Sequence, residues 1–203
     1  MTARPLRIPG QAPEDWTDTT RAQLAGVVST TPGDAPKPVH LPSVIAHHPT
    51  FLGPYLEWAK AIALRGVLAP RTNALLALRT AWHRGSEFEW GVHANGAMSR
   101  GLLTATEVAA VGSDDLAAGQ WSPDDALVLR AADELCTSAT IDDRTWAELS
   151  RRHSPDALLE ITFVVGHYTM LSLVANTAGV PPLPEWPPLP ARGGLPDPDT
   201  GKV

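Results

Sequence analysis

The segment LLEITFVVGHYTMLSLVANTAGV, residues 158–180, decides the fold class of this chain. Its apolar side chains cover every side of a helix instead of one stripe, which predicts a helix buried in protein or in lipid. Its length approaches that of a bilayer span, but the polar side chains inside it argue for protein surroundings. These polar residues are Glu160, His167, Tyr168 and Asn176. We expect a central helix over 155–178, ended by Gly179, that another subunit can share.

Helix-start signals recur along the rest of the chain, whereas strand signals are almost absent. Thr104 with Glu107, Ser122 before Pro123, and Ser154 before Pro155 all match the capping chemistry of a first helical turn. The pattern predicts an all-α helical bundle. The expected helices are 15–27, 41–65, 71–83, 86–100, 104–112, 123–137, 142–152 and 155–178.

Proline and glycine mark the boundaries of the helical domain. The segment TTPGDAPKP, 30–38, predicts a loop, and the many prolines after Val180 exclude a further helix. We expect an N-terminal arm at 1–14, a helical domain at 15–180 and a Pro-rich tail at 181–203 that Trp186 anchors to a neighbouring surface.

Composition excludes several classes of function. The 203 residues carry a formal net charge of -6 and a pI near 5.6, without the clustered basic residues that nucleic-acid binding requires. Cys136 is the only cysteine, so an intramolecular disulfide and a thiolate zinc site are excluded. The start, MTARPLRIPG, has no apolar stretch typical of a secretory signal. We expect a cytoplasmic protein that binds no nucleic acid and no membrane.

The segment RGSEFEWGVHANG, residues 84–96, contains the strongest candidate for a site. Ser86-x-x-Glu89 matches a capping box, which explains both residues structurally. Glu89 and His93 are also four residues apart, so they share one face of a helix, and a carboxylate fixes the orientation and tautomer of a neighbouring imidazole. That is the arrangement of a general acid/base, although the same spacing also occurs in surface ion pairs. Trp90 and Trp82 would form an aromatic wall beside it.

Further polar residues can complete a pocket around this face. His167 and Tyr168 lie in the most apolar helix, where the alternative to a functional role is a core histidine hydrogen-bonded to a carbonyl or tyrosine. His83 and Glu87 are again four apart and predict either a second layer or a solvated pair. A metal site made of two histidines and a carboxylate is the less favoured interpretation, because the spacing matches no metal motif.

Taken together, these motifs resemble the carboxymuconolactone decarboxylase family, whose superfamily also contains alkylhydroperoxidase D. The specific segments are LAPRTNALLALRTAWHRGSEFEWGVH, WSPDDALVLRAADEL and VVGHYTMLSLVANTAGV. The resemblance implies an all-α, alkylhydroperoxidase D-like helical bundle, a two-helix hairpin that holds the site, and subunits packed into trimers or hexamers. It also implies that a redox C-x-x-C followed by a histidine, as in the peroxidase branch, would fall at Ser86, Glu89 and His93.

This chain departs from the peroxidase branch at the residues that carry the redox chemistry. Neither Ser86 nor Glu89 is a thiol, and Ala74 stands where that branch has a proton-relay glutamate. Disulfide exchange needs an attacking and a resolving thiol, so thiol peroxidase activity is not expected. Cys136 lies far along the chain and is interpreted as a small buried hydrophobe.

The resemblance to the non-redox branch implies a cofactor-independent lyase that acts on a small carboxylated or lactone substrate. We expect His93, Glu89 and His167 to be catalytic, with Arg71 or Arg79 as a carboxylate anchor or as a structural ion pair. No cofactor and no metal are expected. The alternatives are a non-catalytic oligomer that binds a ligand, or a hydrolase or dehydratase with the same His/Glu site. Residues expected to contact substrate are Arg79, Trp90, Ser86, His83, Glu87 and Tyr168.

Overall fold

The computed structural model describes residues 5–25, 41–116 and 121–191. Within these ranges the chain is helical and contains no β-strand, so the all-α prediction is confirmed. The predicted loop at 30–38 lies outside the described residues. The helices are α1 (Asp18–Leu24), α2 (Leu41–Ile45), α3 (Pro49–Lys60), α4 (Pro70–His83), α5 (Glu87–Ser99), α6 (Ala105–Val111), α7 (Pro123–Ser138), α8 (Asp143–Leu149) and α9 (Pro155–Ala178).

The predicted continuous helix over 41–65 is wrong, because the chain breaks between α2 and α3. Pro49 occupies the first turn of α3, and His48 before it adopts φ -119° and ψ 82°. A proline cannot donate to the carbonyl of the preceding turn and disfavours a helical residue before it, so α2 ends at Ile45. A wide π-helical turn, Ala61–Arg65, then ends α3.

The hairpin of α4 and α5 forms around Gly85, which has φ +59°. Its N–H donates to the Trp82 carbonyl at 3.1 Å, and the Ser86 N–H donates to the Ala81 carbonyl at 3.0 Å. This pair of bonds is a Schellman closure, which requires a left-handed residue and therefore favours glycine. The turn fixes where α5 begins relative to α4.

Helix α9 is the central element that the sequence predicted. Its 24 residues are long and apolar enough to cross a membrane by length and composition alone. In this fold, however, Ile161, Val164 and Val165 pack in the main core with residues of α4, α5 and α7. A glycine with φ +74°, Gly179, ends the helix. The protein itself therefore accommodates much of its apolar surface.

The chain segments on either side of the helices pack onto them. The N–H groups of Arg7 and Ile8 donate to the Ala178 carbonyl at 2.7 and 3.2 Å, so residues near the N-terminus cover the end of α9. The Trp186 ring contacts Phe88 edge-on, with centroids 5.8 Å apart. Trp186 therefore anchors the Pro-rich segment to α5, as the sequence analysis expected.

Glu160 of α9 positions the turn that precedes α4. One carboxylate oxygen, Oε2, accepts from the N–H groups of Val67 and Leu68 at 2.6 and 3.3 Å. The backbone passes so close that a Cβ added to Gly66 would lie 1.9 Å from Oε1 of the same carboxylate. A side chain at position 66 therefore excludes Glu160 from its bonding position.

We predict that Gly66→Ala lowers the melting temperature by several degrees, because displacing the carboxylate breaks two charge-assisted hydrogen bonds, a loss of about 1–3 kcal/mol. Thermal unfolding followed by circular dichroism measures the effect. Gly96→Ala is the matched control, since a Cβ at this helical glycine of α5 would meet only the flexible Arg100 side chain, at 4.0 Å. It should leave the melting temperature unchanged or raise it. Equal effects of the two substitutions would contradict the role given to Glu160.

Candidate functional site

The candidate site lies where α3, α5 and α9 meet. Helix α5 contributes Glu89 and His93, whose atoms Oε2 and Nε2 lie 3.3 Å apart. Glu89 is only 2% exposed, whereas the His93 side chain is 25% exposed. The pair therefore has a buried carboxylate and an imidazole that solvent or a small molecule can reach, which distinguishes it from a surface ion pair.

The predicted capping box at Ser86 and Glu89 is only half formed. The Ser86 hydroxyl accepts from the Glu89 N–H at 3.4 Å, but the Ser86 N–H is already bonded to Ala81 in the closure of α4. No bond from the Glu89 carboxylate to the cap occurs in the described structure, whereas Glu107 makes that bond at Thr104. The Glu89 carboxylate is therefore directed to His93, and the fully buried Ser86 acts as a helix cap.

Helix α9 places His167 and Tyr168 against this pair. The ring centroids of His93 and Tyr168 are 4.5 Å apart in an edge-on contact, and those of His167 and Tyr168 are 5.0 Å apart. Burial, and secondarily the charge of His93, lowers the pKa of His167 to about 4. His167 is therefore a neutral imidazole at neutral pH, which can donate or accept a hydrogen bond but carries no positive charge.

Tyr55 of α3 is a site residue that the sequence analysis missed. Its ring lies over that of His167, with centroids 6.4 Å apart. Burial, followed by the nearby Glu89 carboxylate, raises the pKa of Tyr55, and the same two causes raise the pKa of Tyr168. Both phenols therefore remain protonated and can donate hydrogen bonds. The segment GPYLEWAK offers no motif that marks Tyr55, since only the packing of α3 on α9 brings it to the site.

Arg79 does not lie with these residues, although it was expected to contact substrate. Its side chain is 4% exposed, and its guanidinium pairs with Asp133, with Nη2 3.1 Å from Oδ2. Nη1 donates to the carbonyls of Val111 and Ser113 at 2.8 and 2.7 Å. The group also stacks on Trp82 at 4.3 Å. These contacts correspond to the structural ion pair that was the alternative interpretation.

Arg71 has a similar structural role between three helices. Its Nη2 donates to Glu107 at 2.5 Å and to Asp125 at 3.1 Å, and its Nη1 donates to the Leu102 carbonyl at 2.8 Å. The Arg71 bond, with that of the Thr104 N–H, lowers the pKa of Glu107 to about 2. With both arginines engaged, neither of the anchors expected from the sequence has its donors directed to the site.

His83 and Glu87 do not form the pair that their spacing suggested. They belong to different helices, separated by the Gly85 turn, so the i,i+4 geometry does not apply. His83 Nε2 instead lies 2.7 Å from Asp133 Oδ1, next to Arg79. The described residues contain no group of three histidine or acidic side chains arranged to hold a metal ion.

Trp90 and Trp82, which were expected to form an aromatic wall beside the site, lie in the core. Trp90 is 1% exposed and packs with Trp82 in a second apolar cluster that also contains Ala74. A Cβ added to Gly112 would lie 2.8 Å from Cη2 of Trp90, so the indole fills the space beside that glycine. Trp90 therefore supports α5 from the side opposite the solvent.

Cys136 of α7 lies in a setting unfavourable to a reactive thiol. It is partly buried, and its carbonyl accepts from Arg84 at 2.8 Å. Burial raises the pKa of its thiol, which reduces the thiolate fraction at neutral pH.

Comparison with known proteins supports the family expected from the sequence. Residues 49–134 match the model of the carboxymuconolactone decarboxylase family. The match covers less than half of the chain, so it shows a similarity to this family; the matched range contains Tyr55, Glu89 and His93, whereas His167 and Tyr168 lie beyond it. No curated protein matches the chain.

Two solved structures share the alkylhydroperoxidase D-like fold. One, from Ralstonia eutropha JMP134, is described as an alkylhydroperoxidase AhpD core and a peroxidase-related protein. It is 18% identical to this chain with a TM-score of 0.72, and the match covers 90% of this chain and 95% of that chain. The other, the Agrobacterium tumefaciens protein ATU0492 of unknown function, is related in its description to the antioxidant defence protein AhpD; it is 17% identical with a TM-score of 0.64, over 70% of this chain and 96% of that chain. At these identities the likeness establishes the fold.

The buried His167 predicts a loss of stability on mild acidification. Its pKa of about 4 lies below the ordinary value of 6.5, so between these values the unfolded chain binds a proton that the native protein does not. The free energy of unfolding should therefore fall as the pH decreases below 6.5, by at most about 1.4 kcal/mol per pH unit. Urea unfolding at pH 7 and pH 5 measures this loss.

His167→Asn should reduce the loss, because asparagine does not titrate. Glu107 cannot explain a change in this window, since its pKa moves from 4.5 to about 2 and its contribution is lost only at lower pH. An unaltered loss between pH 7 and pH 5 in His167→Asn would contradict the assignment.

Proposed function

We propose that the protein is a cofactor-independent lyase that acts on a small carboxylated or lactone substrate, with His93 as its acid/base. The observation that carries the proposal is the buried Glu89 carboxylate directed at the one partly exposed imidazole of the cluster, at 3.3 Å. Protonated phenols and a neutral second histidine surround this imidazole. Such a set supplies a proton and hydrogen-bond donors without a nucleophilic thiol.

Decarboxylation is the reaction that these groups serve best. The bond between the carboxylate carbon and its neighbour breaks, carbon dioxide leaves, and the electron pair remains on the substrate, where an adjacent unsaturated system delocalises it. Protonated His93 then donates its proton to carbon, which forms the new C–H bond and leaves a neutral imidazole. A proton from solvent restores the imidazolium, which the exposed edge of His93 allows.

The surrounding residues take complementary roles in this scheme. Glu89 fixes the imidazole and stabilises its positive charge. Tyr55 and Tyr168 donate hydrogen bonds to the oxygen on which negative charge develops, a form of stabilisation that is strongest in a site with little water. His167 contacts the rings of both tyrosines and contributes a neutral N–H or an acceptor.

Thiol peroxidase chemistry does not fit the residues of this chain, although one structural relative is described as peroxidase-related. Cys136 cannot supply both an attacking and a resolving thiol, and its raised pKa disfavours the thiolate. The positions at the start of α5 hold Ser86, which caps the helix, and Glu89, which contacts His93. Acid/base chemistry accounts for these residues better than redox chemistry.

The first test measures whether the purified protein turns over unsaturated lactone acids or β-keto acids, with products identified by mass spectrometry. We predict that His93→Ala lowers turnover by roughly two to four orders of magnitude. Glu89→Gln should lower it by roughly tenfold or more, because the imidazolium loses its anionic partner while the shape of the side chain is kept.

The double variant distinguishes one catalytic unit from two. If Glu89 acts through His93, the double variant should be no slower than His93→Ala, whereas additive losses would indicate separate roles. Cys136→Ser is the control and should retain nearly full turnover. Unchanged turnover in both single variants would remove the pair from the mechanism, and no turnover of any substrate would favour a ligand-binding protein of the same fold.

We also propose that the protein assembles into cytoplasmic trimers or hexamers through the outer face of α9. This face carries a stripe of exposed apolar side chains at helical spacing. Phe163, which is 47% exposed, also contacts Trp58 of α3 at 5.4 Å, so the apolar surface extends onto a second helix. Such a surface is unusual on a monomer. The stripe consists of Leu159, Phe163, Met170 and Leu173.

Sedimentation velocity at micromolar concentration tests the assembly. We predict a closed oligomer for the natural chain and a smaller species for Leu173→Lys, because a buried ammonium without a partner opposes association. Trp146→Lys on α8, which replaces a residue exposed to a similar degree outside the stripe, is the control and should leave the mass unchanged. A natural chain that sediments as a monomer would refute the proposal.

A further inference from the structure

We infer that Arg100, at the end of α5, binds a carboxylate of the substrate next to His93. The inference rests on the proposed function for the identity of the reacting group, but the binding site itself can be tested without turnover. The ligand class is a small organic acid whose carboxylate lies about one helical turn from the atom that His93 protonates.

The conformation of Arg100 directs its guanidinium back along α5 towards His93. Nε donates to the Gly96 carbonyl at 3.0 Å, which holds the side chain over the last turns of the helix. A Cβ added to Gly96 would lie 4.0 Å from Nη2, so the guanidinium lies above a position without a side chain. Gly96 follows His93 by three residues, a rise of about 4.5 Å. A small ligand can therefore span the two groups.

The electrostatic influence of Arg100 extends into the site. Burial raises the pKa of the Tyr168 phenol, and the nearby Glu89 and Tyr55 raise it further. The positive charge of Arg100 acts in the opposite direction and lowers this pKa. Tyr168 in turn contacts His93 edge-on, at 4.5 Å between ring centroids. The guanidinium is therefore close enough to attract an anion to the exposed edge of His93.

Arg100 also has donors available, in contrast to the two arginines of α4. Arg71 and Arg79 donate to carboxylates and backbone carbonyls between helices. Within the part of the chain that the structure describes, the Arg100 side chain donates a hydrogen bond through Nε alone, which leaves Nη1 and Nη2 for a carboxylate. A guanidinium binds such a group through two parallel N–H bonds.

A second, independent feature indicates that the adjacent space receives a polar ligand. His167 is only 6% exposed, yet its Nδ1 has no hydrogen-bond partner among the described residues. Buried polar atoms without a partner are uncommon and costly, so this nitrogen is suited to a polar group of a bound molecule. The imidazoles of His93 and His167 and the guanidinium of Arg100 together provide sites for several oxygen atoms of an organic acid.

The bound carboxylate should be one that the reaction retains. Arg100 would stabilise a departing carboxylate in the ground state and slow its loss as carbon dioxide. Binding of a retained carboxylate contributes equally before and during the reaction, so removal of the guanidinium should raise KM much more than it lowers kcat.

Direct binding of a stable probe tests this inference. The probe is 2-furoate, a planar unsaturated carboxylate, and 2-furamide is its uncharged analogue; calorimetry and NMR titration of the histidine resonances follow both. We expect 2-furoate to bind the natural chain and to shift the His93 resonances, and Arg100→Gln to weaken this binding at least tenfold. The control is Arg144→Gln, which removes the same charge from a side chain 85% exposed on α8 and should leave binding unchanged.

The outcomes separate this inference from the proposed function. Failure of 2-furoate to bind the natural chain, equal binding by Arg100→Gln, or equal losses in both arginine variants would overturn the anchor. Arg100-dependent binding of 2-furoate without turnover of any lactone or β-keto acid would support the anchor and count against the lyase. Turnover with an unchanged KM in Arg100→Gln would leave the lyase in place and overturn the anchor.

Discussion

The buried carboxylate of Glu89 is the constraint on which the site depends. A carboxylate in a protein interior is costly unless a charged or hydrogen-bonding partner compensates for its lost hydration. The partner here is His93, one turn along the same helix at 3.3 Å. The spacing of Glu89 and His93 follows from the backbone of α5 alone. Their burial depends on α3 and α9, which contribute Tyr55 and Tyr168.

The turn at Gly85 makes this arrangement possible. Because the left-handed glycine closes α4 by directing the Ser86 N–H to Ala81, the start of α5 needs no second bond from the Glu89 carboxylate. The same sequence pattern at Thr104 and Glu107 forms the full capping box, and there the glutamate is also bound by Arg71. Two equivalent capping patterns thus have different roles because their neighbours along the chain differ.

The sequence was sufficient for the architecture and for the core of the site, but not for all of its members. Apolar residues on every side of 155–178 predicted the central helix, and i,i+4 spacing predicted the Glu89–His93 contact, because both properties are local. The break at Pro49 was missed despite a strong local signal. Tyr55, by contrast, reaches the site only through the packing of distant helices. Arg79 and His83 were expected in the pocket, but both pair with Asp133, which is some fifty residues further along the chain.

The start of α5 shows how one fold can hold different chemistry. A helix N-terminus carries partial positive charge that stabilises a thiolate, so the cysteine positions of the peroxidase branch, as implied by the resemblance, suit redox chemistry. In this chain Ser86 at the same place satisfies a backbone N–H, and Glu89 brings a negative charge to the positive end of the helix. The dipole that would stabilise a thiolate interacts here with the Glu89 carboxylate beside His93. Under the proposed function, the replacement of two residues thereby changes an environment suited to thiol–disulfide exchange into one suited to proton transfer.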